Sequence, residues 1–128
     1  MNAETNNAEI ARLAQQLVTR ASAAGIMVTC AESCTGGLVA AALTDIAGAS
    51  AVLDRGFVTY SNAAKTDLLG VAPATLVAYG AVSPETATEM ADGALGNANG
   101  TSLAVSITGI AGPGGGSADK PVGLVFFG

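Results

Sequence analysis

The stretch IMVTCAESCTGGLVAAALTDI, residues 26–46, contains three successive sequence patterns. Residues 26–30 are a short apolar run with β-branched side chains, which predicts a buried strand. Residues 31–37 are polar and glycine-containing, which is typical of a loop. From residue 37 to residue 46 apolar side chains recur at helical spacing. This strand, loop and helix predict an α/β protein.

The rest of the chain alternates between strand-like and helix-like patterns in the same way. Three further apolar runs predict strands over residues 51–60, 103–107 and 122–127. Apolar spacing and capping residues predict helices over residues 8–24, 61–70 and 73–79, and another beginning at Ser83 and Pro84. Such alternation predicts one domain over residues 1–128, with a mostly parallel sheet covered by helices on both faces.

The charge and hydropathy of the chain argue against two classes of partner. The chain has ten acidic and five basic residues, for a net charge of −5 without a Lys/Arg cluster. We therefore expect no nucleic-acid partner, because that affinity comes from neutralising phosphates. The N-terminus MNAETNNAEI lacks the pattern of a secretory signal, and the longest apolar run is too short to cross a bilayer. We expect a soluble, cytoplasmic protein without a membrane partner.

The sequence contains no histidine. This excludes a Ser-His-Asp triad, a Cys-His pair and any zinc site that uses histidine. Cys30 and Cys34 have CxxxC spacing, and two sulfurs alone cannot complete a zinc site. A disulfide is not expected in a cytosolic chain. We expect small packed cysteines, no metal and no cofactor, so acid–base chemistry must use lysine, carboxylate, tyrosine or water.

Three polar stretches follow predicted strands. They are AESCTGG after residue 30, YSNAAK after Val58 and TGIAGPGGG after Ile107. The carboxyl ends of parallel strands meet at one edge of a sheet, where ligands bind in α/β folds. That edge is the candidate site.

Ser33 and Lys65 are the candidates for covalent chemistry. Lys65 is predicted in the first turn of a helix, where the helix dipole disfavours a cation. Desolvation there would lower its pKa toward that of a general base, and serine with neutral lysine can replace serine with histidine. Tyr60 could donate to an oxyanion or orient the lysine. The alternatives are an N-cap serine, a solvated lysine and a core tyrosine.

Two glycine-containing stretches are candidates for binding a nucleotide. Thr35, Gly36 and Gly37 precede a helix, where free N–H groups could hold a phosphate or an oxyanion, unless the threonine is only a cap. The loop after the third strand could form a second cradle, to which Thr108 would add a hydroxyl. The glycines of that cradle are Gly109, Gly112, Gly114 and Gly115. A mobile surface loop is the alternative. Lys120 could pair with a phosphate or be the solvated end of that loop, and we favour the solvated end.

Four collinear stretches, TCAESCTGGL, GFVTYSNAAKTDLLGV, GAVSPETA and SITGIAGPGGGSADKPVGLVFFG, resemble the C-terminal domain of the competence and damage inducible CinA proteins. They resemble the free-standing nicotinamide-nucleotide amidases most closely. The resemblance implies a three-layer α/β/α sandwich, usually a homodimer. It also implies hydrolysis of nicotinamide mononucleotide (NMN) to nicotinic acid mononucleotide and ammonia, for pyridine-nucleotide salvage. The serine nucleophile, lysine base and nearby tyrosine of that family fall on Ser33, Lys65 and Tyr60.

The sequence departs from the family pattern in two ways. Full-length CinA proteins carry an N-terminal domain that resembles molybdopterin-binding proteins, and no stretch here matches it. Family members also continue past GLVFFG with a strand and a helix, which we expect to be missing from this domain. Two other functions stay open: a non-catalytic nucleotide-binding module linked to competence or DNA damage, and an amidase for another small amide.

Overall fold

A computed structural model describes residues 2–128. The strands in this part of the chain are β1 Val28–Glu32, β2 Leu53–Val58, β3 Leu103–Gly109 and β4 Val125–Phe127. Its α-helices are α1 Ala3–Ala24, α2 Leu38–Thr44, α3 Asn62–Leu69, α4 Pro73–Tyr79 and α5 Pro84–Gly96. A 3₁₀-helical turn, Ala49–Ala51, precedes β2.

The four strands form one sheet in the order β2-β1-β3-β4. Strand β1 pairs in parallel with both β2 and β3, while β4 pairs antiparallel with β3. The register places Glu32 beside Val58 on one side and Ile107 on the other. The predicted mostly parallel sheet is confirmed, and the carboxyl ends of its three parallel strands lie at one edge.

Helices cover both faces of the sheet, which confirms the three-layer α/β/α architecture. The cluster on one face combines α1, α2 and the strands, with Ala14, Val18, Ala21, Val28 and Leu43 buried. The cluster on the other face lies under α3 and α5, with Ala31, Leu69, Val71, Met90 and Ala94 buried. Val28 and Ala31 belong to opposite clusters because side chains alternate along a strand.

Small residues let the layers approach closely. A Cβ on Gly93 of α5 would lie 1.9 Å from the Leu69 carbonyl oxygen at the end of α3. A contact between carbon and oxygen at that distance is impossible, so only glycine fits. This close packing suits a chain in which aromatic residues make up only 4%.

Boundaries differ from the predicted ones for local reasons. Helix α1 begins at Ala3, earlier than residue 8, because the Asn2 side chain accepts a hydrogen bond from Thr5 N at 2.9 Å. Strand β4 begins only at Val125, since Gly123 has φ +92° and belongs to a turn.

Capping residues fix the helix that carries the candidate lysine. The hydroxyl of Ser61 accepts from Ala64 N at 3.0 Å, and Gly70 ends α3 in the left-handed region with φ +67°. Both caps agree with the sequence-based prediction. Lys65 thereby lies in the first turn of α3, directly beyond the carboxyl edge of the sheet.

Candidate active site

Ser33 and Lys65 meet at the carboxyl edge of the sheet. Ser33 follows β1 directly, and its N–H donates to the Ile107 carbonyl of β3 at 3.0 Å. Lys65 comes from α3, after the neighbouring strand β2, and its Nζ lies 2.9 Å from Ser33 Oγ. Ser33 is 7% exposed and Lys65 is 1% exposed. The predicted juxtaposition of these two side chains is present.

Main-chain oxygens complete the surroundings of the lysine amine. Lys65 Nζ donates to the carbonyl oxygens of Thr59 at 2.8 Å and Tyr60 at 3.2 Å. Within residues 2–128 no carboxylate forms an ion pair with this amine. Burial therefore lowers the pKa of Lys65 from its ordinary value of 10.5, and the neighbouring Cys34 opposes this effect only in part. Burial without a carboxylate partner therefore favours the neutral form of the Lys65 amine.

Tyr60 contributes to this arrangement through its backbone. Its carbonyl oxygen accepts from Lys65, whereas its side chain is 70% exposed. The structure thus places the Tyr60 phenol on the surface beside the dyad and not in a core. A direct role for its hydroxyl stays a prediction.

The turn between Ser33 and α2 is organised by a buried carboxylate that the sequence analysis missed. Glu32, the last residue of β1, is 0% exposed. Its Oε1 accepts from Thr35 Oγ1 at 2.6 Å, Gly37 N at 3.1 Å and Val39 N at 3.0 Å, and its Oε2 accepts from Ala40 N at 3.0 Å. An acidic residue just before a helix start is favoured by the dipole, and this was the available signal.

This carboxylate corrects the expected use of the helix start. The Thr35 hydroxyl and the Gly37 N–H do not face an open phosphate site, because both already donate to Glu32. The Gly36 N–H donates to the Ser33 carbonyl at 3.1 Å. Gly36 and Gly37 have φ values of +62° and +113°, so the turn itself requires these glycines.

Two donors of the same turn remain available. Among residues 2–128, the backbone N–H groups of Cys34 and Thr35 donate to no protein oxygen. They are adjacent in the chain and immediately follow Ser33. Such a pair of N–H groups beside a nucleophile is the usual composition of an oxyanion hole.

The start of the glycine loop packs against this turn. Thr108 is fully buried, and its hydroxyl donates to the Ala81 carbonyl at 2.7 Å, so it ties β3 to the segment before α5 instead of opening toward a ligand. A Cβ on Gly109 would lie 3.1 Å from Cys34 Sγ and 2.8 Å from the Leu124 carbonyl oxygen. Glycine is needed at position 109 for this close approach.

The rest of the glycine loop is more open. Gly114 and Gly115 are exposed, while Gly112 is half-buried and has φ +77°. Lys120 Nζ donates to the Tyr79 carbonyl at 2.5 Å, which ties the end of the loop to α4. The lysine is therefore neither a fully solvated loop end nor part of the dyad.

Both cysteines are free thiols. Cys30 is buried in β1, and burial raises its pKa to about 12. Cys34 is half-buried beside Ser33, and burial raises its pKa as well. Within residues 2–128 no group of three or more Cys, Asp or Glu side chains is placed to hold a metal ion.

Comparison with known proteins was decisive for the family. The family model for the CinA C-terminal domain matches residues 10–128. This chain belongs to the CinA C-terminal domain family. Nicotinamide-nucleotide amidohydrolase PncC of Enterobacter agglomerans is 67% identical over 106 residues, which are 83% of this chain and 64% of that protein. The protein of the same name from Escherichia coli is 54% identical over 121 residues, 94% of this chain and 73% of that protein.

Solved structures of the family share this fold. The competence/damage inducible protein CihA from Agrobacterium tumefaciens has a TM-score of 0.90 and 60% identity, covering 92% of this chain and 71% of its own. A CinA superfamily protein from Klebsiella pneumoniae has a TM-score of 0.87 and 42% identity, covering 92% and 73%. The chain spans 64% and 73% of the length of the two amidohydrolase relatives and about a quarter of the length of the competence-damage inducible relatives.

The apolar grooves of this family member lie away from the dyad. One is lined by Leu13, Leu17 and Ile26 together with Leu103, at the edge of the sheet where the parallel strands begin. Two others lie between α1 and α2, and one of these extends to Thr35. Neither Ser33 nor Lys65 lines any of these grooves.

No helix within residues 2–128 is both long and apolar enough to cross a bilayer.

Proposed function

We propose that this chain carries the hydrolytic centre of a nicotinamide-nucleotide amidohydrolase, which converts NMN to nicotinic acid mononucleotide and ammonia. Two relatives at 67% and 54% identity bear that name. The observation that carries the proposal is the 2.9 Å separation between Lys65 Nζ and Ser33 Oγ in a buried setting. A lysine and a serine in this arrangement can act as base and nucleophile.

The hydrogen-bond inventory of Lys65 supports a base that is neutral at rest. A neutral amine has two N–H groups and one lone pair. Two carbonyl oxygens, from Thr59 and Tyr60, accept from Nζ, and the third neighbour is Ser33 Oγ. With both N–H groups directed at the carbonyls, the lone pair is left to accept the Ser33 proton. That arrangement activates the hydroxyl as a nucleophile.

The reaction then proceeds in two steps, acylation of Ser33 and hydrolysis of the acyl-enzyme. Ser33 Oγ bonds to the amide carbon of NMN while its proton passes to Lys65. Lys65 returns that proton to the amide nitrogen, the C–N bond breaks, and ammonia leaves an ester on Ser33. Water attacks the ester and gives a proton to Lys65, which restores the Ser33 hydroxyl as nicotinic acid mononucleotide departs.

The oxyanion of each tetrahedral intermediate needs donors close to Ser33. We assign this role to the N–H groups of Cys34 and Thr35, which donate to no protein oxygen among residues 2–128. Our sequence-based prediction placed the donors near Gly36, whose N–H is used within the turn. Removal of one oxyanion donor costs about 100- to 1000-fold in kcat in comparable enzymes.

The nucleotide portion of the substrate requires a separate surface. Gly109 adjoins Cys34, and the open part of its loop at Gly112, Gly114 and Gly115 follows it. We propose that the backbone of this loop contacts the ribose phosphate, with Tyr60 on the opposite side of the dyad. Thr108 is assigned no direct contact, because it is buried and bonded to Ala81.

We further propose a cytoplasmic homodimer that acts in pyridine-nucleotide salvage. A phosphorylated nucleotide is a cytoplasmic metabolite, and the reaction regenerates the acid form of the pyridine. Leu38 is 70% exposed, and apolar exposure of this kind is compatible with a subunit interface. Light scattering on the purified protein gives the oligomeric state directly.

The function is tested by incubating the purified protein with NMN and measuring ammonia and nicotinic acid mononucleotide. Ser33→Ala and Lys65→Ala should each lower kcat by about a thousandfold or more. Lys120→Ala removes the other lysine and should retain activity, since within residues 2–128 the Lys120 amine donates to the Tyr79 carbonyl and to neither member of the dyad. Full activity in Lys65→Ala would refute the assigned base. Tight NMN binding without hydrolysis would establish a binding module instead.

A further inference from the structure

Glu32 is a buried carboxylate that the reaction as described does not use. Within residues 2–128 no cation pairs with it. Its acceptors are instead occupied by the Thr35 hydroxyl and the N–H groups of Gly37, Val39 and Ala40. An unpaired charge with no exposure is costly to bury unless its hydrogen bonds compensate, so its presence beside the nucleophile calls for an explanation.

The hydrogen bonds are sufficient to keep this group ionised. Burial alone would raise the pKa of Glu32, but donation from Thr35, Val39, Ala40 and Gly37 outweighs it and holds the pKa below the ordinary 4.5. With one oxygen accepting three bonds and the other accepting from Ala40 N and the Cys30 thiol, little capacity is left for a ligand or a metal. The carboxylate therefore acts on the protein itself.

The bonds of Glu32 extend to both halves of the dyad. On one side its carboxylate binds Thr35, two residues beyond Ser33. On the other side its backbone carbonyl accepts from Thr59 N at 2.8 Å, and the Thr59 carbonyl accepts from Lys65 Nζ at 2.8 Å. One residue thus contacts both segments that present the reacting atoms.

The bonds of Glu32 also determine which donors stay free. The carboxylate takes the N–H groups of Gly37, Val39 and Ala40, and the Ser33 carbonyl takes that of Gly36. The N–H groups of Cys34 and Thr35 are the two between Ser33 and this bonded set. Because the Thr35 side chain is held by a 2.6 Å bond to Glu32, the orientation of its backbone N–H is restrained as well.

We propose that Glu32 is a positioning residue for the oxyanion hole: its carboxylate clamps Thr35 and the start of α2 so that the N–H groups of Cys34 and Thr35 face the reacting carbonyl. This inference rests on the proposed amide hydrolysis at Ser33. It assigns Glu32 an effect on the transition state, where the oxyanion exists, and none on ground-state binding.

Glu32→Gln tests the clamp with little change of shape. The amide replaces one acceptor oxygen by an NH₂ group, which faces N–H donors of α2 and cannot accept from them. We expect kcat for NMN to fall about 10- to 100-fold while KM stays within about threefold. The pH midpoint of activity should not move, because Glu32 makes no contact with Lys65 Nζ.

Thr35→Val is a second, milder variant with the same backbone. It removes the hydroxyl that donates to Glu32 and keeps the β-branched shape of the side chain. The clamp predicts a kcat loss of about 5- to 20-fold at unchanged KM. A raised KM at unchanged kcat would show that the hydroxyl binds the nucleotide instead, and would overturn the inference.

Ser83→Ala is the matched control for stability. Ser83 is a buried cap of α5 that accepts from Thr86 N at 3.1 Å, and its hydroxyl bonds only to Gly80 and Thr86 within residues 2–128, so its loss removes a helix cap without touching the dyad. It should lower Tm but leave kcat unchanged. An equal kcat loss in Ser83→Ala and Glu32→Gln at equal Tm would reduce Glu32 to a stability role, as would kcat within twofold of wild type in Glu32→Gln.

A substrate-independent readout separates this inference from the proposed function. A fluorophosphonate forms a bond from Ser33 Oγ to phosphorus and releases fluoride, and its phosphoryl oxygen requires the same donors. Labelling of Ser33, followed by intact mass, should be at least about tenfold slower in Glu32→Gln. If the wild type is labelled but does not hydrolyse NMN, the proposed function fails while the labelling rates still decide the role of Glu32. If the wild type hydrolyses NMN but Ser33 is not labelled, the inference about Glu32 fails while the proposed function stands.

Discussion

Lys65 Nζ lies 2.8 Å from the carbonyl oxygen of Thr59, and that residue is in turn bonded through its N–H to the carbonyl of Glu32 in the neighbouring strand. The amine is therefore fixed by main-chain atoms of the sheet edge. Its protonation depends on burial more than on a side-chain partner. Changes in pH and in backbone packing at this edge should therefore change the activity and stability of the protein.

The first prediction concerns the pH dependence of activity. Because Lys65 must be neutral to accept the Ser33 proton, kcat/KM for NMN should rise with pH to a plateau, with a midpoint below the ordinary lysine pKa of 10.5. Initial rates of ammonia release across the pH range measure it. Tyr60→Phe keeps the carbonyl that accepts from Lys65 and should leave the midpoint unchanged. A midpoint at or above 10.5 would contradict a desolvated base.

The second prediction concerns stability against pH. The folded-state pKa of Lys65 is lowered, so between that pKa and 10.5 the unfolded chain binds one more proton than the folded chain. In that window the contribution of Lys65 to the free energy of unfolding should rise with pH, by at most about 1.4 kcal/mol per pH unit. Lys65→Met lacks this contribution. Denaturant unfolding of both proteins at several pH values should show wild type gaining on the variant as pH rises, and parallel curves would refute the buried amine.

The third prediction concerns the contact between the glycine loop and the nucleophile turn. In Gly109→Ala the added Cβ would lie 2.8 Å from the Leu124 carbonyl oxygen and 3.1 Å from Cys34 Sγ, so the turn that follows Ser33 must move. We expect kcat to fall at least about tenfold. Gly114→Ala is the matched control for folding, because nothing lies within 4 Å of its Cβ, and its Tm should equal that of wild type. Equal kcat in Gly109→Ala and wild type would show that the turn is not constrained from this side.

The fourth prediction concerns the packing of α5 against α3. Gly93→Ala places a Cβ 1.9 Å from the Leu69 carbonyl oxygen, and overpacking of this kind typically costs about 1–3 kcal/mol, so the variant should be strongly destabilised. Gly96→Ala in the same helix meets nothing within 4 Å and should be neutral or more stable by up to about 1 kcal/mol. Thermal unfolding of the pair gives the comparison. Similar Tm values would contradict the close approach of these helices.

The dyad was predictable because its geometry follows from chain order. Ser33 and Lys65 each follow a strand of a parallel sheet, and parallel strands end at the same edge. Glu32 was not predictable in the same way. Apart from the Cys30 thiol, its donors lie three to eight residues later and are mostly backbone N–H groups, which no side-chain pattern reveals.

The orientation of the Thr108 side chain could not be predicted from the sequence either. A threonine at the end of a strand can face either side of the sheet, and its hydroxyl serves a ligand or the protein accordingly. Ser106 and Thr108 share one face and donate to the carbonyls of Ala87 and Ala81, on the side covered by α5. Strand alternation predicts that Ser106 and Thr108 lie on the same face of the sheet. Only the packing of α5 shows that this face is the one covered by α5.

The carboxylate at the start of α2 is covalently tethered, so it neither dissociates nor competes with dissolved anions for its place. A helix start left vacant would attract inorganic phosphate and chloride from the cell, and its shape would then vary with what happened to be bound. With Glu32 in permanent occupation, protein hydrogen bonds hold Thr35 and the start of α2 before any substrate arrives. Substrate binding therefore has less ordering cost to meet at this turn.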